Sequence, residues 1–173
     1  IFIIPFFVIV VLKYRQTGID YFRFLGIGLF IIAAISDALD GAIARLKHQK
    51  TALGTLLDPL ADKLLILSAV ILFSIPIKGL VQLPIWIPVT IISRDLILVI
   101  GSAVIYISNN GELKIKPNIF GKVTTGCQML VIIAILFKIP YANYVWRTAG
   151  FFTILSGVIY IYQGSKLLGL LEK

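Results

Sequence analysis

Acidic residues are scarce in this sequence: Asp and Glu number eight in 173 residues, against sixteen Lys and Arg. There is one cysteine and one histidine. A lone cysteine excludes an internal disulfide, and the pair together excludes a zinc site of the usual Cys and His kind. Charged residues of both signs make up only 14% of the chain, where a soluble domain carries about 25%. Strict apolar–polar alternation, the mark of a membrane strand, is missing. Internal repeats and low-complexity stretches are missing too.

What fills the chain is apolar. Hydrophobic residues reach 59% and the mean hydropathy is +1.01, above the roughly 45–50% apolar content of soluble domains. Six hydrophobic segments stand out, at about 1–12, 21–45, 51–75, 83–108, 119–137 and 145–168. Prolines and glycines gather at the joints between them, as helix boundaries require. Backbone groups in lipid must be satisfied within the segment, so these runs are expected to be helices. The fold class expected is all-α and integral to the membrane: a single domain over 1–173 built as a bundle of six transmembrane helices. The first segment is short for a span and carries no initiating Met, so the sequence is expected to have lost its first residues. No cleavable signal peptide is visible.

The net charge of +8 forms no stripe, so nucleic acid is not an expected partner. Lys and Arg fall singly or in small groups at the ends of apolar runs, where they reach the headgroup phosphates of the lipid bilayer. With six spans, Lys47, Lys50, Lys114, Lys116, Lys122, Lys166 and Lys173 share one side. Lys13, Arg15, Arg23, Lys78, Lys138 and Arg147 share the other. That split hardly favours either orientation.

The acids are misplaced for solubility. Asp37, Asp40, Asp58 and Asp62 all lie in apolar runs, within SDALDGAIARLKHQKTALGTLLDPLADKLL. A carboxylate at bilayer depth costs about 2.5–3.5 kcal/mol on insertion scales, so four need a strong counter-charge. At about 100° per residue, Asp37, Asp40, Gly41, Ala44 and Arg45 cover an arc of about 140° on one helix. Gly54, Asp58 and Asp62 cover about 80° on the next. The short polar linker makes the two helices antiparallel neighbours. Their carboxylates are hard oxygen donors that suit Mg²⁺ or Mn²⁺ better than zinc. His48 sits in the linker and reads as a solvated loop residue. Buried salt bridges with Arg45, Lys63 and other bases are the plain alternative, but four acids on two matched faces exceed what ion pairing explains. Gly41, Ala44 and Gly54 could serve close helix packing alone. Because they share the acids' faces, they are read as clearance for a planar base and a pyrophosphate, with Arg45 as the phosphate-reading fork. Pro59, directly after Asp58, is expected to put Asp58 in a first helical turn or at a kink.

The spacing Asp37-x2-Asp40-Gly41-x2-Ala44-Arg45-x8-Gly54-x3-Asp58-x3-Asp62 resembles the signature of the CDP-alcohol phosphotransferases at all eight fixed positions. The resemblance implies that an acceptor hydroxyl attacks the β-phosphorus of a CDP-linked lipid and CMP leaves. It implies that Asp37, Asp40 and Asp58 are ligands to two Mg²⁺ or Mn²⁺ ions, and that Asp62 completes the metal site and acts as base. Asp37, Gly41, Ala44, Arg45 and Gly54 would hold the CDP moiety. Because CDP-lipids are made where nucleotides are, the acid cluster is expected to face the cytoplasm from the cell (inner) membrane. A homodimer is implied by the resemblance alone.

The acceptor is expected to be glycerol-based. TALGTLLDPLADKLL, IISRDL and FGKVTTGCQ are similar to segments of the phosphatidylglycerophosphate synthases, which take CDP-diacylglycerol and glycerol 3-phosphate. Arg94 and Lys122 are the candidate cations for an acceptor phosphate, although Arg94 could instead pair only with Asp95 for packing. Arg94-Asp95 stands where many of those enzymes read Arg-Glu, and Ser-Arg-Asp also resembles cardiolipin synthases of the superfamily, whose acceptor is phosphatidylglycerol. An intramembrane prenyltransferase would carry two distant Asp-rich motifs on a longer chain. A transporter would show repeat symmetry and discontinuous helices, and neither pattern is visible.

Overall fold

A computed structural model of the chain describes residues 2–46, 52–108 and 119–167, and the side chains of these except 37, 38, 40–46, 52–62, 105–108, 166 and 167. Among the described residues there are six helices and no strand: α1 Ile3–Thr17, α2 Asp20–Leu46, α3 Ala52–Ser74, α4 Trp86–Ser108, α5 Ile119–Leu136 and α6 Ala142–Leu167. They divide into two compact units, Ile1–Leu83 with Ile132–Ala142, and Pro84–Val131 with Asn143–Lys173.

In the first unit α1 packs on α2 and α3, and α2 on α3. Helix α1 buries Phe7, Val11 and Tyr14, which recur at the helical spacing that makes one face. The Phe7 ring meets Phe30 of α2 with centroids 5.7 Å apart. Leu65, Ile66, Ala69, Val70 and Phe73 of α3 are buried in the same unit. The apolar run of α1 ends at residue 12, yet the helix continues to Thr17. Lys13 to Thr17 contain no breaker, and the stop comes only where Gly18 takes φ 68° and donates its N–H to the Tyr14 carbonyl. Glycine adopts that left-handed conformation at no steric cost.

Helix ends leave carbonyls without donors, and at one end of this unit side chains from neighbouring helices serve them. The Arg23 guanidinium, 9% exposed, donates Nη1–H to the Leu136 carbonyl at 3.0 Å, at the close of α5. Its Nε–H donates to Asp20 at 2.9 Å. Arg15 donates to the Pro76 carbonyl at 3.2 Å, and the Tyr14 hydroxyl to that of Lys78 at 3.4 Å. Helix α5 ends with the Ile139 N–H on Ala134 and the Lys138 N–H on Ile135, and Lys138 takes φ 55°. Such a left-handed residue is usually glycine. Here its side chain instead reaches Asp20 at 3.0 Å. That hydrogen bond holds the Asp20 carboxyl below its ordinary 3.8 and lifts Lys138 above its ordinary 10.5.

The second unit is ordered by two close approaches of α6 to α4. At Gly150 an added Cβ would lie 2.9 Å from Trp86 and 3.0 Å from Ile87. At Gly101 it would lie 2.9 Å from the Tyr160 ring, whose hydroxyl donates to the Leu98 carbonyl at 3.1 Å. Residue 86 therefore pairs with 150 and 101 with 160, so α4 and α6 run parallel. Helix α5, which follows α4 and precedes α6, runs opposite to both. Small residues allow this closeness between membrane helices.

Among the described residues three helices are long and apolar enough to cross a membrane, over Trp86–Val104, Ile119–Leu136 and Ala142–Ser165. Large apolar side chains stand exposed along them, such as Val89, Leu96, Val99 and Ile100 on α4. Patches of that extent on a water-soluble surface would aggregate. The protein is an all-α membrane protein. Helix α1, with 15 residues, rises only about 22 Å, short of the roughly 30 Å hydrocarbon core.

Two sequence expectations shift. The apolar run of the fourth segment begins at 83, but Leu83 donates its N–H to the Phe73 carbonyl and closes the loop after α3, so α4 starts at Trp86. Pro59 falls well inside α3, which begins at Ala52, so of the two expected placements, a first turn or a kink, the first turn is excluded for Asp58. There the ring has no N–H to give the residue 55 carbonyl.

The Asp20–Lys138 pair titrates at both extremes. Its Asp20 contribution is complete above 3.8 and is lost as pH falls through the lowered pKa; the Lys138 contribution is lost only as pH rises through a value above 10.5. The gap in melting temperature between wild type and Asp20→Asn in detergent is therefore expected to hold from about pH 5 to about pH 9 and to close in acid. In the second unit, Gly150→Ala forces the Trp86 indole aside and is expected to cost about 1–3 kcal/mol, read by unfolding in detergent.

Candidate active site

The eight signature positions lie on α2 and α3. Asp37, Asp40, Gly41, Ala44 and Arg45 fall in the last ten residues of α2. Gly54, Asp58 and Asp62 fall in the first half of α3. These helices are consecutive, they touch, and their acid-bearing ends are joined by residues 47–51. The helical arcs of about 140° and about 80° thus belong to helices of the same unit. The side chains of all eight lie outside the described residues, and so does the whole of His48. As a donor set the quartet fits a hard divalent cation: neither helix carries Cys or His, and four carboxylates supply oxygen alone.

Arg94 of α4 is a second charged position, 6% exposed. Its Nη1–H donates to Asp95 at 2.7 Å and its Nη2–H to the Ser156 hydroxyl of α6 at 3.0 Å. The Nε–H, buried, has no partner. On α5 the backbone comes close: a Cβ at Gly121 would lie 3.3 Å from Nη2. Lys122, the next residue, is exposed in the first turn of α5. Arg94 therefore meets the residue beside Lys122, while Lys122 itself is exposed. The pairing with Asp95 expected from sequence is present, but it uses one of three nitrogens.

Sequence reading missed the buried polar groups of α5 and α6, one of which meets Arg94. Thr124, Gln128, Thr153 and Ser156 are all buried. The Thr124 hydroxyl bonds the Phe120 carbonyl at 2.8 Å and the Phe152 carbonyl of α6 at 3.0 Å. Gln128 donates to Thr153 at 3.2 Å. The usable signal was spacing: Thr124 and Gln128 stand four apart on α5, and Thr153 and Ser156 three apart on α6. Polar residues at such intervals in an apolar helix face protein instead of lipid.

The family model for CDP-alcohol phosphatidyltransferases matches residues 1–161. The chain is 34% identical, over 185 aligned positions, to the CDP-diacylglycerol–glycerol-3-phosphate 3-phosphatidyltransferase of Bacillus subtilis, covering 96% of this chain and 91% of that protein. It is 32% identical over 171 positions to the enzyme of the same name from Haemophilus influenzae, covering 94% and 83%. It is 32% identical over 167 positions to the CMP-forming cardiolipin synthase of Rattus norvegicus, covering 82% of this chain and 53% of the rat protein. With the signature on adjoining helices and a match along most of its length, the chain belongs to the CDP-alcohol phosphatidyltransferase family.

Proposed function

We propose that this protein transfers a phosphatidyl group from CDP-diacylglycerol to glycerol 3-phosphate, forming phosphatidylglycerophosphate and releasing CMP. The observation that carries the choice of acceptor is reciprocal coverage. The Bacillus subtilis relative that bears this name is covered over 91% of its length, whereas the rat cardiolipin synthase is covered over 53%. Cardiolipin synthesis from phosphatidylglycerol is the second reading, favoured by Ser93-Arg94-Asp95 and by the 32% identity to that rat protein. Family membership speaks against the prenyltransferase and transporter readings.

In the proposed reaction the acceptor hydroxyl oxygen bonds to the β-phosphorus of the CDP-lipid. The bond from that phosphorus to the oxygen it shares with CMP breaks, and CMP departs with that oxygen. Asp62 takes the hydroxyl proton and passes it to solvent, its value as a base coming from its position. Asp37, Asp40 and Asp58, with Asp62, would hold two Mg²⁺ or Mn²⁺ ions, whose charge offsets that of the pyrophosphate and the leaving CMP. Gly41, Ala44 and Gly54 leave room for the cytidine and pyrophosphate, and Arg45 forks onto a phosphate. Arg94 and Lys122 attract the acceptor's phosphate. In this reading one domain crosses the cell membrane six times, with the acid-bearing ends of α2 and α3 toward the cytoplasm.

The deciding assay follows CMP release from CDP-diacylglycerol with Mg²⁺ and either acceptor. Release is expected with glycerol 3-phosphate, and Asp62→Asn is expected to lower it by about 10²–10⁴-fold. Release only with phosphatidylglycerol moves the assignment to cardiolipin synthesis; failure to bind CDP-diacylglycerol sinks the whole reading. A chelator is expected to abolish turnover, and Mg²⁺ or Mn²⁺ to restore it. Turnover that survives chelation would remove the metal role of the aspartates.

A further inference from the structure

Hydroxyls in α6 divide into two kinds. Thr148, Thr153 and Ser165 each donate to the carbonyl four residues back in their own helix. Ser156 does not. Its hydroxyl, 3% exposed, accepts from Arg94 Nη2 at 3.0 Å. A buried hydroxyl turned from its own backbone to a guanidinium on another helix fixes the direction of that guanidinium.

The packing around Arg94 has the same effect. Its stem passes Gly157, where an added Cβ would lie 3.6 Å from Cγ. Its tip passes Gly121, where an added Cβ would lie 3.3 Å from Nη2. Any larger residue at 121 would press on the nitrogen that Ser156 holds. With Nη1 on Asp95 and Nη2 on Ser156, two of the three nitrogens are tied and the plane of the group is set. Nε is the nitrogen left over. The edge made by Nε and Nη2 is the side-on fork that matches two oxygens of a phosphate or carboxylate.

We propose that Ser156, with the backbone clearance at Gly121 and Gly157, is a positioning residue that aims the Nε–Nη2 edge of Arg94 at the charged group of the acceptor. This rests on the reading of Arg94 as an acceptor cation. Ser156 touches no substrate; it acts through Arg94 by denying the guanidinium other rotamers.

The test titrates each substrate separately with the full-length enzyme in lipid–detergent micelles. Ser156→Ala is expected to raise KM for glycerol 3-phosphate about tenfold, the scale of one hydrogen bond to a charged group, while KM for CDP-diacylglycerol holds. Ser156→Thr, which keeps the hydroxyl, is expected to restore the acceptor KM. Gly121→Ala is expected to raise it through contact with Nη2. If Arg94→Lys raises the acceptor KM and Ser156→Ala does not, the positioning role is wrong although the reading of Arg94 stands. If Arg94→Lys leaves the acceptor KM unchanged, the acceptor reading of Arg94 falls and takes this inference with it. If Ser156→Ala raises both KM values together and Ser156→Thr fails to correct them, Ser156 is packing alone and the inference is overturned.

Discussion

In hydrocarbon, a polar group that finds no partner within the protein finds none at all. That constraint organises α4, α5 and α6. A buried donor left unmade costs about 1–3 kcal/mol, and a charge at bilayer depth about 2.5–3.5 kcal/mol on insertion scales. Arg94 is therefore the most demanding group in the second unit, and its surroundings answer to it: Asp95 and Ser156 take two nitrogens, and glycines stand where the guanidinium passes. The hydroxyls nearby are served more cheaply. Thr124 bonds carbonyls of α5 and α6 at once, and Gln128 meets Thr153. The helices of this unit are thus joined by polar contacts on their inward faces, while Val99 and Ile100 face outward.

The first unit meets the same constraint at its helix ends. Carbonyls of Leu136, Pro76 and Lys78 accept from Arg23, Arg15 and Tyr14. Each bond joins residues more than sixty positions apart, so these contacts hold the closing turn of α5 and the loop after α3 against α1 and α2. Tyr14 and Arg15 can do this only because α1 outlasts its apolar run. The extra turn that looks superfluous by hydropathy supplies the donors. Asp20 then gathers Arg23 and Lys138 on one carboxylate oxygen, so its single charge is shared by two cations.

Legibility from sequence followed the same physics. Helix number and order were readable, because long apolar runs broken by Pro and Gly leave few other solutions. The signature was readable because four acids in apolar runs have no ordinary explanation. Segment ends were less so: α1 runs past residue 12, and Leu83 belongs to a loop, because a backbone hydrogen bond to Phe73 outweighs its apolar character. Of the two placements Pro59 suggested, a first turn or a kink, the first turn fails: a proline inside a helix costs about 3 kcal/mol in water, yet membrane helices tolerate it where neighbours serve the freed carbonyl. Ser156 could not be found from composition at all. A serine in α6 means something only once Arg94 is known to lie against it.

Overall identity does not separate the two acceptors, since relatives named for each stand at 34% and 32%. Chemistry separates them more sharply. Glycerol 3-phosphate ends in a phosphomonoester, with up to two negative charges and three terminal oxygens. Phosphatidylglycerol carries a diester, with one charge and two free oxygens flanked by acyl chains. A guanidinium held on a fixed plane can fork onto two oxygens of either ligand, so the additional charge of the monoester is what favours it. In the proposed reaction Arg94 therefore reads charge, and the residues that hold its plane serve that contact. In the same proposal Lys122, exposed at the start of α5, would add attraction but little selectivity.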